Sequence, residues 1–256
     1  MNISLIGSGN LATNLGKALG KHGYNIKEVY SHTLANAMTL ADTLGAEKFT
    51  DSLDDVAADS DLYVIAVKDS VLKDVIKRLC PSRPNGLFVH TAGSMPMQVF
   101  QGKAKRYGVL YPLQTFSKAR ETDFKKIHCF IEGNDEATEQ AIDGICQGIF
   151  AKVHHVSSEN RKYMHLAAVF GCNFVNHCFA LSEEILSKAN IPFEVMMPLI
   201  EETVNKAKVM PPREAQTGPA VRYDRNVMDK HLQLLEDEPD MAEIYKLMSK
   251  SIHKMS

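Results

Sequence analysis

The sequence carries almost no net charge, because 29 Lys and Arg residues stand against 31 Asp and Glu residues, for a formal net charge of −2. A chain without a strong overall field does not attract nucleic acid or an anionic membrane from a distance. We therefore predict neither as a partner. Any bound anion must be held by a local motif.

The sequence is also poor in cysteine and lacks a C-x-x-C pair. An odd number of cysteines, most of them inside apolar runs, is typical of reduced core thiols in a cytoplasmic protein. No metal site is predicted. A strand-like run begins at Asn2 with no basic leader or cleavage site before it, so we expect no signal peptide. The five cysteines are Cys80, Cys129, Cys146, Cys172 and Cys178.

Only one segment, 164–181, is apolar over a length that suggests a membrane span. It contains His165, Asn173, Asn176 and His177, and each of these side chains is costly to place in hydrocarbon. We therefore predict that the segment is a buried helix of a soluble protein.

The 256 residues suit one large or two modest domains. Up to residue 156, short apolar runs alternate with amphipathic segments at 11–22, 34–44 and 53–58, the last behind Ser52 as a helix cap. This alternation predicts an α/β domain with a parallel, Rossmann-type sheet. The predicted strands are 3–6, 26–30, 46–49, 62–67, 87–90, 108–111, 128–131 and 152–156.

After residue 156 the strand signals stop, and only helical patterns follow. The sequence therefore predicts a first domain at 1–156 and an all-helical second domain at 157–256. The predicted helices of the second domain are 159–189, 193–210, 226–236 and 241–253.

A glycine motif, G-x-G-x-x-A, runs from Gly7 to Ala12 directly after the first strand and opens the first helix. This context is typical of a dinucleotide-binding turn. Gly7 allows the tight turn, and Gly9 leaves the backbone amides at the helix start open to a pyrophosphate. The predicted cofactor-binding residues of this turn are Gly7, Ser8, Gly9, Asn10 and Leu11.

The end of the second strand favours NADP over NAD. An NAD site usually has a carboxylate there, whereas this sequence has Ser31, His32 and Thr33, and Glu28 lies earlier in the strand. Hydroxyl and imidazole groups can donate to a 2′-phosphate. The alternative is that Ser31 and Thr33 only cap the following helix.

Ligands of an open parallel sheet lie beyond the carboxyl ends of its strands. This rule assigns Ala66, Val67 and Lys68, after the fourth strand, and Thr91, after the fifth, to the cofactor. The alternative for Lys68 is a solvated pair with Asp69.

Substrate chemistry is expected beside the nicotinamide. His90 ends the fifth strand, and its imidazole is either a proton donor or a hydrogen-bonded core residue. Gly93 and Ser94 follow it, and Gln114 and Thr115 follow the next strand, so these four are predicted to contact the substrate.

The long predicted helix carries a polar stripe. At 100° per residue, His165 and Asn176 fall about 20° apart, with Asn173 about 80° and His177 about 120° from His165. Such a stripe lines a cleft or joins a buried network. In the cleft interpretation Asn173 orients the substrate, His165 donates a proton and Asn176 contacts the substrate.

A polar loop at 216–224 holds Arg222, which can bind a carboxylate through two hydrogen bonds. The alternative is a surface ion pair of Arg222 with Asp224 or Asp229.

Taken together, these residues resemble Rossmann-type NADP oxidoreductases of unknown substrate. The N-terminal half of that family is similar to pyrroline-5-carboxylate reductase and to deazaflavin-dependent NADP reductases. Its C-terminal half is similar to the helical domains of 6-phosphogluconate dehydrogenase and ketopantoate reductase. The more specific marks are the sequences YPLQTFS at 111–117 and QTGPAVR at 216–222.

The resemblance implies an NADP-binding first domain and a helical second domain that forms a homodimer, with the 216–224 loop completing a neighbouring cleft. In related hydroxyacid dehydrogenases a Lys and, four residues later, an Asn carry the chemistry. Asn173 matches that Asn, but Val169 stands at the Lys position. This departure disfavours oxidative decarboxylation and favours imine reduction as the analogy.

The sequence therefore predicts a cytoplasmic NADP-dependent oxidoreductase that transfers a hydride to or from a small carbonyl or imine substrate. The alternative is a catalytically idle NADP-binding sensor. A third class, an S-adenosylmethionine methyltransferase, fits poorly with the helical second half.

Overall fold

A computed structural model describes residues 1–255 of the chain. The predicted strands are all present, with ends that differ by a few residues from the sequence pattern. The strands are β1 (Asn2–Ile6), β2 (Asn25–Tyr30), β3 (Lys48–Thr50), β4 (Leu62–Ile65), β5 (Leu87–His90), β6 (Arg106–Pro112), β7 (His128–Gly133) and β8 (Lys152–His155).

Helices connect most of these strands, and after β8 the regular elements within residues 1–255 are all helical. The α-helices are α1 (Asn10–Lys21), α2 (Leu34–Leu44), α3 (Asp69–Leu79), α4 (Glu136–Cys146), α5 (Ser158–Ala168), α6 (Val175–Ser187), α7 (Met197–Val209), α8 (Arg225–Leu234) and α9 (Pro239–Met255). A π-helical segment, Val169–Phe174, joins α5 to α6, and short 3-10 turns lie at Met97–Phe100, Phe124–Lys126 and Phe193–Met196.

The strands form one sheet in the order β3-β2-β1-β4-β5-β6-β7-β8. The Rossmann-type arrangement is confirmed, but the sheet is not wholly parallel, because β6 and β7 pair antiparallel. The chain moves outward from β1 to β3 and then returns to place β4 beside β1. The carboxyl ends of β1 and β4 therefore flank the switch point where such sheets bind ligands.

Both faces of the sheet are covered, as the continuously apolar strands predict. In β4, Leu62 and Val64 pack into one core cluster and Tyr63 and Ile65 into another. Successive side chains of a strand point to opposite faces, so these two clusters are the two layers on either side of the sheet. The sheet thereby holds the ends of its central strands in fixed positions.

The predicted helix at 53–58 is wrong, as is its cap at Ser52. The segment is an irregular turn whose carbonyl groups bond to a distant side chain. Arg83 donates from Nη2 to the Leu53 carbonyl at 3.0 Å and from Nε to the Ala57 carbonyl at 3.3 Å, and Nη2 also contacts the Val56 carbonyl. These contacts satisfy the backbone carbonyls of the turn without a helix, and the Leu53 carbonyl is one that a helix over 53–58 would use internally.

The long helical stretch differs from its prediction in two respects. Its π-helical segment has i→i+5 hydrogen bonds, so the positions after it do not follow 100° per residue and the computed alignment of His165 with Asn176 fails. The stretch is also not buried. Ser158–Ser187 is long and apolar enough to cross a membrane by length and composition, and none of its apolar window is buried within the chain.

The chain divides into two compact units, an N-terminal unit, Met1–Cys172, and a C-terminal unit that begins at Asn173. The N-terminal unit holds the sheet, α1 to α5 and the start of the π-helical segment. The division into domains at residue 156 stays a prediction.

Candidate active site

The turn after β1 is shaped by Gly7. Its φ of 120° lies in the region that favours glycine, and its N–H donates to the Tyr30 carbonyl at 2.8 Å. A Cβ on Gly7 would lie 2.2 Å from the Ala66 carbonyl oxygen. The turn therefore packs directly against the backbone after β4, at the switch point, where any side chain at Gly7 would collide.

Gly9 differs from Gly7 because it faces open space. It is the N-cap of α1 in an extended conformation, and a Cβ built on it meets no atom within 4 Å. No side chain caps the helix, and its first turn has no acidic residue. The first amides of α1, at Asn10 and Leu11, are thus not capped by protein, as a pyrophosphate site requires. The turn fits a dinucleotide.

The hydroxyl groups predicted to select the cofactor lie at the end of β2. Ser8 Oγ and Ser31 Oγ are 2.7 Å apart, which ties the glycine turn to that strand end. Thr33 is the N-cap of α2, but its side chain makes no capping hydrogen bond. The capping alternative is therefore wrong, and His32 and Thr33 are exposed.

Glu28 cannot take the place of the missing carboxylate. Its side chain is buried in the sheet, where it accepts hydrogen bonds from Ser4 Oγ at 3.2 Å and from the Ala57 N–H at 2.9 Å. No other acidic residue stands at the end of β2. This arrangement is consistent with NADP rather than NAD.

The other residues assigned to the cofactor occupy two strand ends. Val67 Cγ1 lies 3.4 Å from the position of a Cβ on Gly7, so Ala66 and Val67 adjoin the glycine turn. Lys68 is exposed. Thr91 is buried, with its N–H bonded to the Ile65 carbonyl at 3.2 Å.

The predicted pair of Lys68 with Asp69 is wrong. Asp69 instead accepts a hydrogen bond from the Ser94 hydroxyl, and Lys68 makes no ion pair within residues 1–255. The Ser94 hydroxyl is therefore already hydrogen-bonded to a carboxylate.

His90 lies in the core. It is fully buried, stacks on Phe100 at 5.7 Å between ring centroids, and accepts the Ala92 N–H at Nδ1 at 3.2 Å. Burial, aided by the positive charge of Arg161, lowers the pKa of His90 to about 3. The Pro96 carbonyl opposes this shift, but Nε2 makes no hydrogen bond of normal geometry. The ring is thus neutral, and burial disfavours the predicted role of His90 as a proton donor.

A pair of polar side chains lies beside the loop that follows β5. Tyr111 Oη and His165 Nδ1 are 3.1 Å apart, and a Cβ on Gly93 would lie 2.6 Å from that Nδ1 and 2.8 Å from Tyr111 Cζ. His165 and Gly93 are predicted site residues, whereas Tyr111 is predicted only as part of the YPLQTFS motif. The sequence does place Tyr111 near the end of the strand that neighbours β5.

A buried ion pair fixes α5, and sequence reasoning missed it. Arg161 is fully buried, and its Nη1 lies 2.8 Å from Glu132 Oε2. Its Nη2 donates to the Met95 carbonyl at 2.7 Å and to Ser158 Oγ at 3.1 Å. Because Arg161 precedes His165 by one helical turn, this network holds His165 in place.

Gln114 and Thr115 are exposed at the edge of a polar cavity of about 430 Å³. The Thr115 N–H donates to Gln114 Oε1 at 2.8 Å. Arg120 and Lys126 also line this cavity. Gln114 and Thr115, both predicted to contact the substrate, therefore line a polar cavity.

The remaining predicted site residues belong to the C-terminal unit. Asn173, Asn176 and Arg222 are exposed. Arg222 makes no ion pair with Asp224 or Asp229 in the described part of the chain, and the Asp224 carboxylate instead caps α8. The surface-pair alternative for Arg222 is wrong, and its role as an anion ligand stays a prediction.

Two family descriptions match the chain. Residues 2–92 match the description "NADP oxidoreductase coenzyme F420-dependent", and residues 127–252 match a domain of unknown function, DUF2520. No curated protein sequence is significantly similar to the chain.

Several solved structures are similar over the whole length. A Bacteroides fragilis protein described as a putative NADP oxidoreductase is 47% identical, covers 99% of this chain and 98% of its own, and has a TM-score of 0.95. An imine reductase from Myxococcus stipitatus in complex with NADP⁺ is 17% identical, with coverage of 99% and 93% and a TM-score of 0.70.

A pyrroline carboxylate reductase from Plasmodium falciparum with NADP bound is 12% identical, with coverage of 99% and 98% and a TM-score of 0.60. At such low identities, this likeness and that to the imine reductase show the fold alone.

Proposed function

Because the chain belongs to the family of NADP oxidoreductases, we propose that it is a reductase that transfers a hydride from NADPH to a small imine or carbonyl compound. The observation that carries this proposal is the open backbone at Gly9, where the first amides of α1 face empty space at the switch point of the sheet. Bound there, NADPH supplies the hydride. The chain supplies its binding, orientation and proton transfer.

An imine is the substrate class we favour. Val169 stands where related hydroxyacid dehydrogenases have their lysine, so the chain lacks the base for that chemistry. The imine reductase and pyrroline carboxylate reductase named above share the fold. Reduction of C=N needs alignment with the nicotinamide and a proton donor, which this chain can provide without a lysine.

The experiment measures NADPH consumption at 340 nm with a panel of three compound classes. These are cyclic imines, open-chain imines formed from methylamine, and 2-oxo acids as carbonyl compounds. We expect turnover of at least one imine. NADPH binding by calorimetry without turnover of any panel member would instead support the sensor alternative. Binding of S-adenosylmethionine but not NADPH would overturn the proposal.

A Ser31→Asp variant tests the choice of NADP. The new carboxylate would repel the 2′-phosphate and accept the ribose hydroxyl of NAD, so we expect the ratio of NADP to NAD affinity to fall at least tenfold, or ~1.4 kcal/mol. Thr43→Asp, at the far end of α2, adds the same charge as a control and should leave the ratio unchanged. An unchanged ratio in Ser31→Asp would contradict the assignment.

The C-terminal unit supports a homodimer. Within residues 1–255, helices α6 and α7 have no buried residue, and a soluble protein rarely leaves such an apolar surface uncovered. Lipid is a poor cover for the adjoining Ser158–Ser187 stretch because of its histidine and asparagine side chains. The exposed large apolar residues of α6 and α7 are Val175, Ile185, Met197, Leu199, Val204 and Val209.

We infer that a second copy covers this surface, that 1–156 binds the cofactor, and that 157–256 provides substrate contacts and dimerisation. The Arg222 loop would complete a neighbouring cleft, with Asn173 and Asn176 contacting the substrate. The cytoplasm is the proposed compartment because all five cysteines are free thiols.

Charge placed on the apolar surface should separate the subunits. Leu199 and Val204 are 60% and 52% exposed on α7, so Leu199→Lys with Val204→Lys should convert a dimer to a monomer in light scattering after gel filtration. The matched control is Met38→Lys with Val71→Lys, at exposed apolar positions of the N-terminal unit, and it should stay dimeric. A monomeric wild type would refute the homodimer.

A further inference from the structure

The pair formed by Tyr111 and His165 lies at the ligand-binding edge of the sheet. Tyr111 is the penultimate residue of β6, which is parallel to β5. Because His90 pairs with Val109, Tyr111 lies two residues beyond the level of His90, toward the carboxyl ends of these strands. The Tyr111 ring is buried against Phe130 and Met164. Its hydroxyl meets His165 Nδ1 at 3.1 Å, with the two rings edge to face at 6.1 Å. Packing and the hydrogen bond fix the orientation of the phenol.

Gly93 shows that the pair adjoins the loop after β5. A Cβ there would lie under 3 Å from both rings, so only glycine lets the loop approach them. This loop also holds Thr91, which the sequence assigns to the cofactor. A substrate beside the nicotinamide would therefore lie next to the two polar groups.

Two other hydrogen-bond donors on this loop are less suited to protonate a substrate. His90 is neutral, fully buried and engaged with the Ala92 amide, so it sets the path of the loop. The Ser94 hydroxyl is donated to Asp69. Gln114 and Thr115, which follow β6, are hydrogen-bonded to each other. Tyr111 and His165 are the polar pair that directly adjoins this loop at Gly93.

The geometry points to the Tyr111 hydroxyl as the proton donor to the substrate, with His165 behind it as the group that returns the proton. This inference rests on the proposed function. As the imine or carbonyl carbon accepts the hydride and its electron pair, the π pair moves to the nitrogen or oxygen, which takes the Tyr111 proton. The phenolate recovers a proton from His165 Nδ1 while Nε2 takes one from water.

Burial, more than the charges around it, keeps the phenol protonated at neutral pH. Burial raises the pKa of Tyr111, the charge of Arg161 lowers it, and Asp69 and Cys172 raise it further. The net direction is upward, so the hydroxyl holds its proton until a substrate takes it. His165, the fourth group facing it, is half-buried and retains access to solvent.

The test is NMR of protein labelled at the tyrosine Cζ, titrated alone, with NADP⁺ and with NADPH. A positively charged nicotinamide ring beside the phenol should lower the pH midpoint of Tyr111 by about one unit, whereas neutral reduced nicotinamide should not. Tyr111→Phe identifies the resonance among the eight tyrosines. Tyr163, exposed on the same helix as His165, is the internal control and should not move.

Activity gives a second measure on any panel compound that is reduced. Tyr111→Phe should lower kcat at least 100-fold with an unchanged Kd for NADPH. His165→Gln should lower kcat less, and added imidazole should restore part of it, which a purely structural role would not allow.

The outcomes separate the two proposals. If calorimetry shows NADP⁺ binding but every tyrosine midpoint is unmoved, the role of Tyr111 is overturned and the proposed function stands. If NADP⁺ does not bind, the proposed function fails and this inference fails with it. If Tyr111→Phe does not fold, His165→Gln, which removes the hydrogen-bond partner of Tyr111, identifies the resonance instead.

Discussion

Replacing Arg161 by methionine should destabilise the protein by about 3–5 kcal/mol. The guanidinium is fully buried and donates to Glu132, Ser158 and the Met95 carbonyl. Its loss leaves the Glu132 carboxylate, whose side chain is only 12% exposed, without its counter-charge. The measurement is the free energy of unfolding in urea.

Two further variants give the control and the decisive comparison. Arg78→Met removes an exposed ion pair with Asp54 and should cost under about 1 kcal/mol. Adding Glu132→Gln to Arg161→Met should recover part of the loss, because no unpaired charge then remains. An Arg161→Met variant as stable as Arg78→Met would show that the network does not hold α5.

The second large effect is expected at Gly9. Gly9→Val should weaken NADPH binding at least 100-fold, or ~2.7 kcal/mol, because the side chain fills the space that the pyrophosphate needs. The fold should be unaffected, since the backbone there is extended and a Cβ meets no neighbour within 4 Å. Binding is measured by NADPH fluorescence and stability by the Tm.

Gly7 provides the contrasting variant. Gly7→Ala places a Cβ 2.2 Å from the Ala66 carbonyl oxygen at a φ of 120°, so it should lower the Tm as well as the affinity. If Gly7→Ala and Gly9→Val changed the Tm equally and the NADPH affinity equally, the distinction would be contradicted. That distinction is between Gly7 as a structural turn and Gly9 as an open pyrophosphate site.

The sheet was predictable because its signals are local. Each strand is a short apolar run between helical patterns, and the glycine motif lies within a dozen residues of the N-terminus. What escaped prediction depends on distant partners. The 53–58 turn is held by Arg83, and β7 reverses direction beside β6. No local pattern encodes either contact.

The candidate site divides in the same way. Gly7 and Gly9 were identified from their motif, whereas Tyr111 and His165 are 54 residues apart and meet only in the fold. The burial of His90 depends on layers from several elements. The predicted polar stripe was wrong because it assumed 100° per residue throughout, and the π-helical segment interrupts that regular repeat.

The central claim is that the uncapped amides at the start of α1 bind the pyrophosphate of NADPH. Backbone ¹⁵N NMR tests it directly, with NADPH added stepwise to the wild-type protein. The account predicts that the amide resonances of Gly9, Asn10 and Leu11 shift in saturable fashion. Saturable binding that leaves these three resonances in place, with shifts elsewhere, would contradict it.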